Sequence, residues 1–107
     1  MTYYAMGEVT VTDREWVGDY LARINGFIEK HGGRVLSRSL KMERMEGERA
    51  LPTNVVLIEF PSREAAISFY KDPEYQPLRA KRRAGSKSEF LLFPAEDLVN
   101  DYKAGAG

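Results

Sequence analysis

The sequence has no cysteine, a single histidine and a formal net charge of zero. Without cysteine the chain can form no disulfide, thiol nucleophile or thiolate metal site. One histidine without a cluster of further ligand residues gives no basis for a metal site either. Because Lys plus Arg and Asp plus Glu both total 16, no global field steers the chain to nucleic acid. We therefore expect no metal, no cofactor and no nucleic-acid partner.

Long hydrophobic runs are also missing. No apolar segment approaches the roughly 20 residues that a membrane-spanning helix requires. The first residues, M-T-Y-Y-A-M-G-E-V, lack the basic start and the continuous apolar stretch of a signal peptide. The composition, with 43% hydrophobic and 30% charged residues, is typical of a globular domain. We expect a cytoplasmic protein without a membrane partner, built as one domain at residues 1–94 with a tail at residues 95–107.

Hydrophobic periodicity divides the domain into alternating strands and helices. Runs rich in β-branched and aromatic residues predict strands at Tyr3–Val11, Arg34–Leu40, Asn54–Phe60 and Ser88–Phe93. Apolar stripes at steps of three and four predict a helix that ends at His31 and another between Ser62 and Asp72, each with a capping signal before it. The capping signals are the capping box T-D-R-E at residues 12–15 and the hydroxyl of Ser62. Residues 74–84 read as a further short basic helix or turn.

The order β-α-β-β-α-β predicts an α+β fold, the ferredoxin-like plait. In this fold a four-stranded antiparallel sheet carries both helices on one face. Alternation along the two central strands places a largely apolar set of side chains on the other face: Tyr4, Met6, Glu8, Val55, Leu57 and Glu59. An open apolar face is normally covered by a partner, and the simplest partner is a second copy of the chain. We therefore expect a homodimer.

Several segments resemble an uncharacterised family, the domain-of-unknown-function family numbered 1330, in the dimeric α/β-barrel superfamily. They are V-T-D at 11–13, H-G-G-R-V-L-S-R at 31–38, M-E-G at 45–47, V-V-L-I-E-F-P-S at 55–62 and Y-K-D-P-E-Y-Q-P-L-R at 70–79. The chain departs from the resemblance at Ser39-Leu40, where such families commonly have two glycines after the arginine equivalent to Arg38. The resemblance implies two plaits pressed sheet to sheet into a dimeric α/β barrel with an interior cavity. It implies no activity, since the superfamily includes cofactor-free monooxygenases, lactone isomerases, haem enzymes and regulatory domains.

Glu8 and Glu59 are the candidate catalytic residues. Both lie on the uncovered face of adjacent central strands, where two carboxylates in a cavity of low dielectric could serve as general acid or base. The alternative is that each carboxylate forms a structural ion pair with an arginine. Arg34 and Arg38, on the neighbouring second strand, are the candidate cations, either for that pairing or for a ligand carboxylate or phosphate. We expect the Arg38 guanidinium within about 4 Å of the Glu59 carboxylate, directly or through one ligand or water.

His31, Tyr4 and Tyr75 complete the candidate ligand-binding residues. His31 could act as a base at the cavity mouth, but its position favours a cap at the end of a helix. The hydroxyl of Tyr75 could bond a ligand, or the ring could belong to the core. The only dense group of cations reads as a solvated helix face rather than a nucleic-acid patch: Arg79, Lys81, Arg82, Arg83 and Lys87.

These observations favour a small homodimer that binds a small organic molecule in the barrel cavity. Two alternatives stay open. One is an enzyme similar to cofactor-free monooxygenases or isomerases, and the other is a non-catalytic structural or regulatory dimer. The sequence does not decide whether the protein is an enzyme.

Overall fold

The computed structural model describes residues 1–100, and the last part of the predicted tail, residues 101–107, lies outside the described residues. The elements in chain order are β1 (Tyr3–Val11), α1 (Val17–Lys30), β2 (Arg34–Ser39), β3 (Asn54–Phe60), α2 (Arg63–Lys71), α3 (Gln76–Ala84) and β4 (Ser86–Pro94). The strands form one antiparallel sheet in the order β2-β3-β1-β4. This topology confirms the predicted ferredoxin-like plait, to which α3 adds a short helix before the last strand. Within the described part of the chain, no helix has the length and hydrophobicity needed to cross a bilayer.

The core lies between the sheet and the helices. Phe60, Ile28 and Leu78 are 0%, 1% and 2% exposed, so sheet and helices both contribute fully buried side chains. An aromatic group joins the layers, with the ring of Phe69 centred 5.4 Å from that of Phe60 and 4.9 Å from that of Tyr75. The buried residues of β3 are every second one, which confirms the predicted division between a helix-covered face and an open face.

The helix starts only partly follow the prediction. The hydroxyl of Ser62 accepts a hydrogen bond of 3.0 Å from the Ala65 amide, as expected for the start of α2. The predicted capping box before α1 is wrong, because the helix begins at Val17 without a side-chain cap. The amide of Thr12 instead donates to the carbonyl of Gly85, at 2.9 Å. That bond joins the segment before α1 to the end of α3, so a tertiary contact replaces the local cap.

Strand β2 contains a β-bulge that reverses the facing of its second half. Val35 pairs with Ile58 and Ser37 pairs with Leu57, so Leu36 is an extra residue without a partner. An extra residue changes which side chains share a face, because alternation in a strand has a period of two. Arg38 therefore pairs with Val56, whose side chain faces the helices, although its sequence spacing from Arg34 predicts the open face.

Candidate functional site

The two candidate catalytic carboxylates do not come together. Glu59 on β3 lies opposite Tyr4 on β1, and Glu8 lies four residues after Tyr4 on β1. At about 3.4 Å per residue, roughly 14 Å separates the two backbone positions along the strand direction. Each glutamate has an arginine partner of its own: Arg34 Nε is 2.8 Å from Glu59 Oε1, and Arg49 Nη2 is 2.8 Å from Glu8 Oε1. Both glutamates thus form the ion pairs with arginine that the sequence analysis gave as the alternative to a catalytic role.

Arg38 does not contact Glu59, so that part of the sequence prediction is wrong. Its Nη2 donates a hydrogen bond of 2.9 Å to Asn25 Oδ1 on α1. The cause is the bulge at Leu36, which turns Arg38 toward the helices while Arg34 stays on the open face and bonds Glu59.

His31 belongs to a charged cluster at the end of α1. Its Nε2 lies 2.7 Å from Asp72 Oδ2, and Lys30 Nζ lies 2.9 Å from the same oxygen. Hydrogen bonds from His31, from Lys30 and from the Glu74 amide hold the pKa of the Asp72 carboxyl well below its usual range. The side chain of Asp72 is 3% exposed. Since Asp72 also ends α2, this cluster joins the carboxyl ends of two helices.

A cavity of about 270 Å³ lies between the sheet and the helices. Its walls are mainly aliphatic and aromatic side chains from both layers: Ala5, Val9, Val17, Ile24, Val56, Ile58, Phe69 and Phe90. Two of the predicted ligand-binding residues, Arg38 and Tyr75, also line it. Tyr4 does not, since it lies on the open face, where its ring meets the edge of Phe93 at 5.9 Å.

A pair of tyrosine hydroxyls forms part of the cavity wall. The hydroxyls of Tyr20 and Tyr75 lie 2.7 Å apart and share a hydrogen bond. Burial raises the pKa of Tyr20 far above its usual range; the neighbouring Tyr75 adds to this rise, and Arg82 opposes it. The hydroxyl of Tyr20 is therefore neutral at physiological pH and can act as a hydrogen-bond donor or acceptor, but not as an anion.

Arg82 is the most unusual residue of the site. It is 2% exposed, and its guanidinium carbon lies 4.6 Å from the centre of the Phe90 ring. Within residues 1–100, no carboxylate forms an ion pair with it, and its Nε and Nη2 atoms are buried without a hydrogen-bond partner. The hydroxyls of Tyr20 and Tyr75 interact with the guanidinium group, but two of its N–H donors stay unpaired within the described part of the chain. Unpaired buried donors are costly, so a ligand that accepts from them would stabilise the site.

Sequence reasoning missed Arg82 because it counted the residue with a solvated basic cluster. The spacing contained a signal against that interpretation. Tyr75, Leu78 and Arg82 follow one another at steps of three and four, which places them on one side of α3, and all three are buried. Arg82 therefore occupies a core position of the helix, whereas Arg83 next to it is exposed.

Two further features give the site its polarity. The amide oxygen of Asn54, which also lines the cavity, is buried without a partner in the described chain. A second, polar cavity of about 290 Å³ is lined by Tyr70, Arg82, Arg83, Ser86, Ser88 and Phe90. Three of these residues, Tyr70, Arg82 and Phe90, also line the apolar cavity. Arg82 thus stands where an apolar and a polar compartment meet.

The charged residues do not form a metal centre. Among residues 1–100, no three His, Cys, Asp or Glu side chains lie close enough together to hold a metal ion. The chemistry available in the cavity is hydrogen bonding and the attraction of the two guanidinium groups that line it, those of Arg38 and Arg82, in mainly apolar surroundings.

Fold and cavity define an α+β protein of the ferredoxin-like class with a mainly apolar cavity between sheet and helices. The chain belongs to the family described as "Domain of unknown function (DUF1330)", whose model matches residues 2–95. This membership confirms the resemblance noted in the sequence. No curated protein matches the chain.

Solved structures share the fold at low sequence identity. SnoaB, a cofactor-independent oxygenase from Streptomyces nogalater, is 22% identical with a TM-score of 0.65, over 90% of this chain and 94% of that one. A protein of unknown function from Rhodopseudomonas palustris is 18% identical with a TM-score of 0.72, over 90% and 84% of the two chains. A dimeric ferredoxin-like protein of unknown function from Jannaschia sp. CCS1 is 10% identical with a TM-score of 0.70, over 89% and 100%.

Proposed function

We propose that the protein binds a small organic molecule in the cavity between its sheet and its helices. The observation that carries this proposal is an apolar cavity whose wall contains Arg82 and Asn54, with buried polar atoms that lack partners in residues 1–100. Each such atom costs free energy that a ligand hydrogen bond would recover. Ligand sites commonly combine apolar walls with a few polar groups of this kind. The proposed site lies within one chain, whereas the sequence pointed to the space between two sheets.

A second copy of the chain is the proposed partner. Besides Met6 and Leu57, the open face carries Leu91 and Phe93, which are 62% and 38% exposed. An apolar sheet face of this kind is stabilised when a matching face covers it. The related Jannaschia structure is a dimer, which supports the same arrangement here. The cavity lies between the sheet and the helices, so a second copy on the open face would not occupy it.

Filling the cavity tests the ligand proposal. Val17 lines the cavity from the first turn of α1, so Val17→Phe should occupy part of the space that the ligand needs. Ala22→Phe, at an exposed position of the same helix, is the matched control. Binding is measured by calorimetry with a panel of two-ring aromatic compounds, and native mass spectrometry is used to detect any molecule that co-purifies.

The expected result is binding by the wild type and by Ala22→Phe, with a loss of about tenfold or more in Val17→Phe while its unfolding midpoint is maintained. A wild-type protein that binds no member of the panel and carries no co-purified molecule would contradict the proposal. Equal affinities for all three proteins would show that any binding occurs elsewhere.

An oxygenase activity is the second candidate function. The fold similarity to a cofactor-independent oxygenase gives no activity by itself, because the sequence identity is 22%. Arg82 adds a specific reason, since a buried cation favours the enolate or phenolate form of a bound ligand, and such electron-rich anions are the forms that react with O₂. The test is oxygen consumption by the protein with an enolisable bound compound, in the absence of added metal or flavin. Arg82→Met should abolish any such activity.

A further inference from the structure

The two unpaired nitrogens of Arg82 lie on the same edge of its guanidinium group. Nε–H and one Nη2–H of an arginine point in parallel, at a spacing that matches the two oxygens of a carboxylate. Both atoms are buried and lack a partner within residues 1–100. The Phe90 ring covers a face of the group at 4.6 Å, and such stacking stabilises the charge without accepting an in-plane hydrogen bond. The edge is therefore a complete two-donor site without an acceptor.

From this geometry we infer that the ligand is a hydrophobic monocarboxylic acid, whose carboxylate binds side-on to Arg82 and whose apolar body occupies the cavity. The ligand class rests on the proposed function, because it requires that a molecule occupy this cavity. It adds the chemical identity of the polar end and the orientation of the molecule.

The charged groups around the cavity favour a ligand that carries one negative charge rather than two. Two arginines line the apolar cavity, but Arg38 is exposed and bonded to Asn25, so Arg82 is the buried one. The tyrosine beside Arg82 supplies no counter-charge, since the Tyr20 hydroxyl is neutral. The neighbouring Arg79 is already engaged, with its guanidinium carbon 3.9 Å from the Tyr70 ring centre and its Nη1 bonded to Gln76. A carboxylate would neutralise Arg82, whereas a phosphate dianion would leave an excess charge in apolar surroundings.

The position of Arg82 between the apolar and the polar cavity determines the orientation of the ligand. The apolar cavity lies on one side, and the polar cavity with Arg83, Ser86 and Ser88 lies on the other. A ligand that spans this boundary places its hydrophobic part among residues such as Ile24 and Val56, with its acid group at the polar end. This distribution matches an amphipathic acid better than a sugar or a nucleotide, whose polar groups are spread over the whole molecule.

Matched acids and esters test the ligand class. Benzoate-, naphthoate- and octanoate-type acids are compared with their methyl esters by calorimetry, at neutral pH and physiological salt. Charge-assisted bidentate bonding should make at least one acid bind about tenfold or more tightly than its ester. In Arg82→Met that acid should lose about tenfold or more, while its ester changes little. Arg82→Lys keeps the positive charge but lacks the planar pair of donors, so its affinity for the acid should lie between those of the wild type and Arg82→Met. Lys81→Met removes an exposed cation of the same helix that lines neither cavity; it is the control and should leave the difference intact.

The outcomes separate this inference from the proposed function. Equal binding of each acid and its ester overturns the monocarboxylate and leaves the cavity as a binding site. Binding of neither member of any pair overturns both. If Arg82→Met does not fold, the acid–ester difference in the wild-type protein and in Arg82→Lys decides the question, because neither measurement needs the unfolded variant.

Discussion

Gly7 and Phe90 face each other across β1 and β4, and the ring of Phe90 lies in the space that a Cβ at Gly7 would need. The same ring covers the guanidinium of Arg82. Because Gly7 has no side chain, the Phe90 ring can lie close to the backbone of β1 while it stacks on the guanidinium of Arg82. Gly7 therefore affects the surroundings of Arg82 indirectly, through the position of the Phe90 ring.

Replacement of Gly7 by alanine should displace this ring. We expect Gly7→Ala to lower the free energy of unfolding by about 1–3 kcal/mol, since the added methyl group overlaps Phe90. Urea unfolding measures the change. Gly26→Ala is the control, because a Cβ there meets open space on α1, and it should raise stability by up to about 1 kcal/mol. Equal effects of the two substitutions would contradict the steric explanation.

The shared hydrogen bond of Tyr20 and Tyr75 should appear as an energetic coupling. Removal of either hydroxyl leaves the other without this partner in a buried site, so each Tyr→Phe substitution should cost about 1–3 kcal/mol. The double variant should cost less than the sum of the two by about 0.5–1.5 kcal/mol. Urea unfolding of the four proteins measures the cycle, with Tyr70→Phe as a control at a half-buried tyrosine. Strict additivity would indicate that the hydroxyls do not interact.

Acid should weaken the contact between the ends of α1 and α2. Because the pKa of Asp72 is lowered in the folded state, its carboxylate stabilises the fold fully above the unfolded-state pKa of about 3.9, and this contribution declines as the pH falls below that value. The stability difference between the wild type and Asp72→Asn should therefore shrink from about pH 5 to about pH 3. Urea midpoints across this range measure it. Asp19→Asn, which removes an exposed pair with Arg23, should show a much smaller change.

A charge on the open face should prevent dimer formation. Leu57 lies opposite Met6 near the middle of this face, so Leu57→Glu should yield a folded monomer where the wild type is a dimer. Sedimentation equilibrium at micromolar concentration measures the mass, and the wild-type interface should bury more than about 1,000 Å². Leu40→Glu, at a 72% exposed position after β2, should leave the dimer intact. A wild-type monomer under these conditions would contradict the proposed partner.

Much of the fold could be predicted from local patterns. The strands and helices follow from periods of two and of about three and a half, and the two faces of β3 follow from the alternation between Ile58 on the covered face and Leu57 on the open one. The start of α1 could not be predicted in this way. The amide of Thr12 donates to the carbonyl of Gly85, which is distant in the sequence, so the local pattern does not reveal this bond.

The candidate site was harder to predict, for two physical reasons. A bulge has no signature in residue type, and Leu36 looks like any other strand residue, so the facing of Arg38 could not be derived from its distance to Arg34. The second reason is that Arg82 lies within a dense group of cations, a pattern that predicts a solvated helix face. The helical spacing from Leu78 to Arg82 indicates a core position, and this signal was not used in the prediction.

The bulge at Leu36 also affects how residues of related proteins are matched. In a relative whose second strand lacked the extra residue, an arginine four positions after the equivalent of Arg34 would lie on the open face of the sheet. An alignment without a gap would equate it with Arg38, which bonds to α1 on the opposite side. Functional residues should therefore be transferred across this strand by superposition of backbones, with a one-residue insertion placed at Leu36.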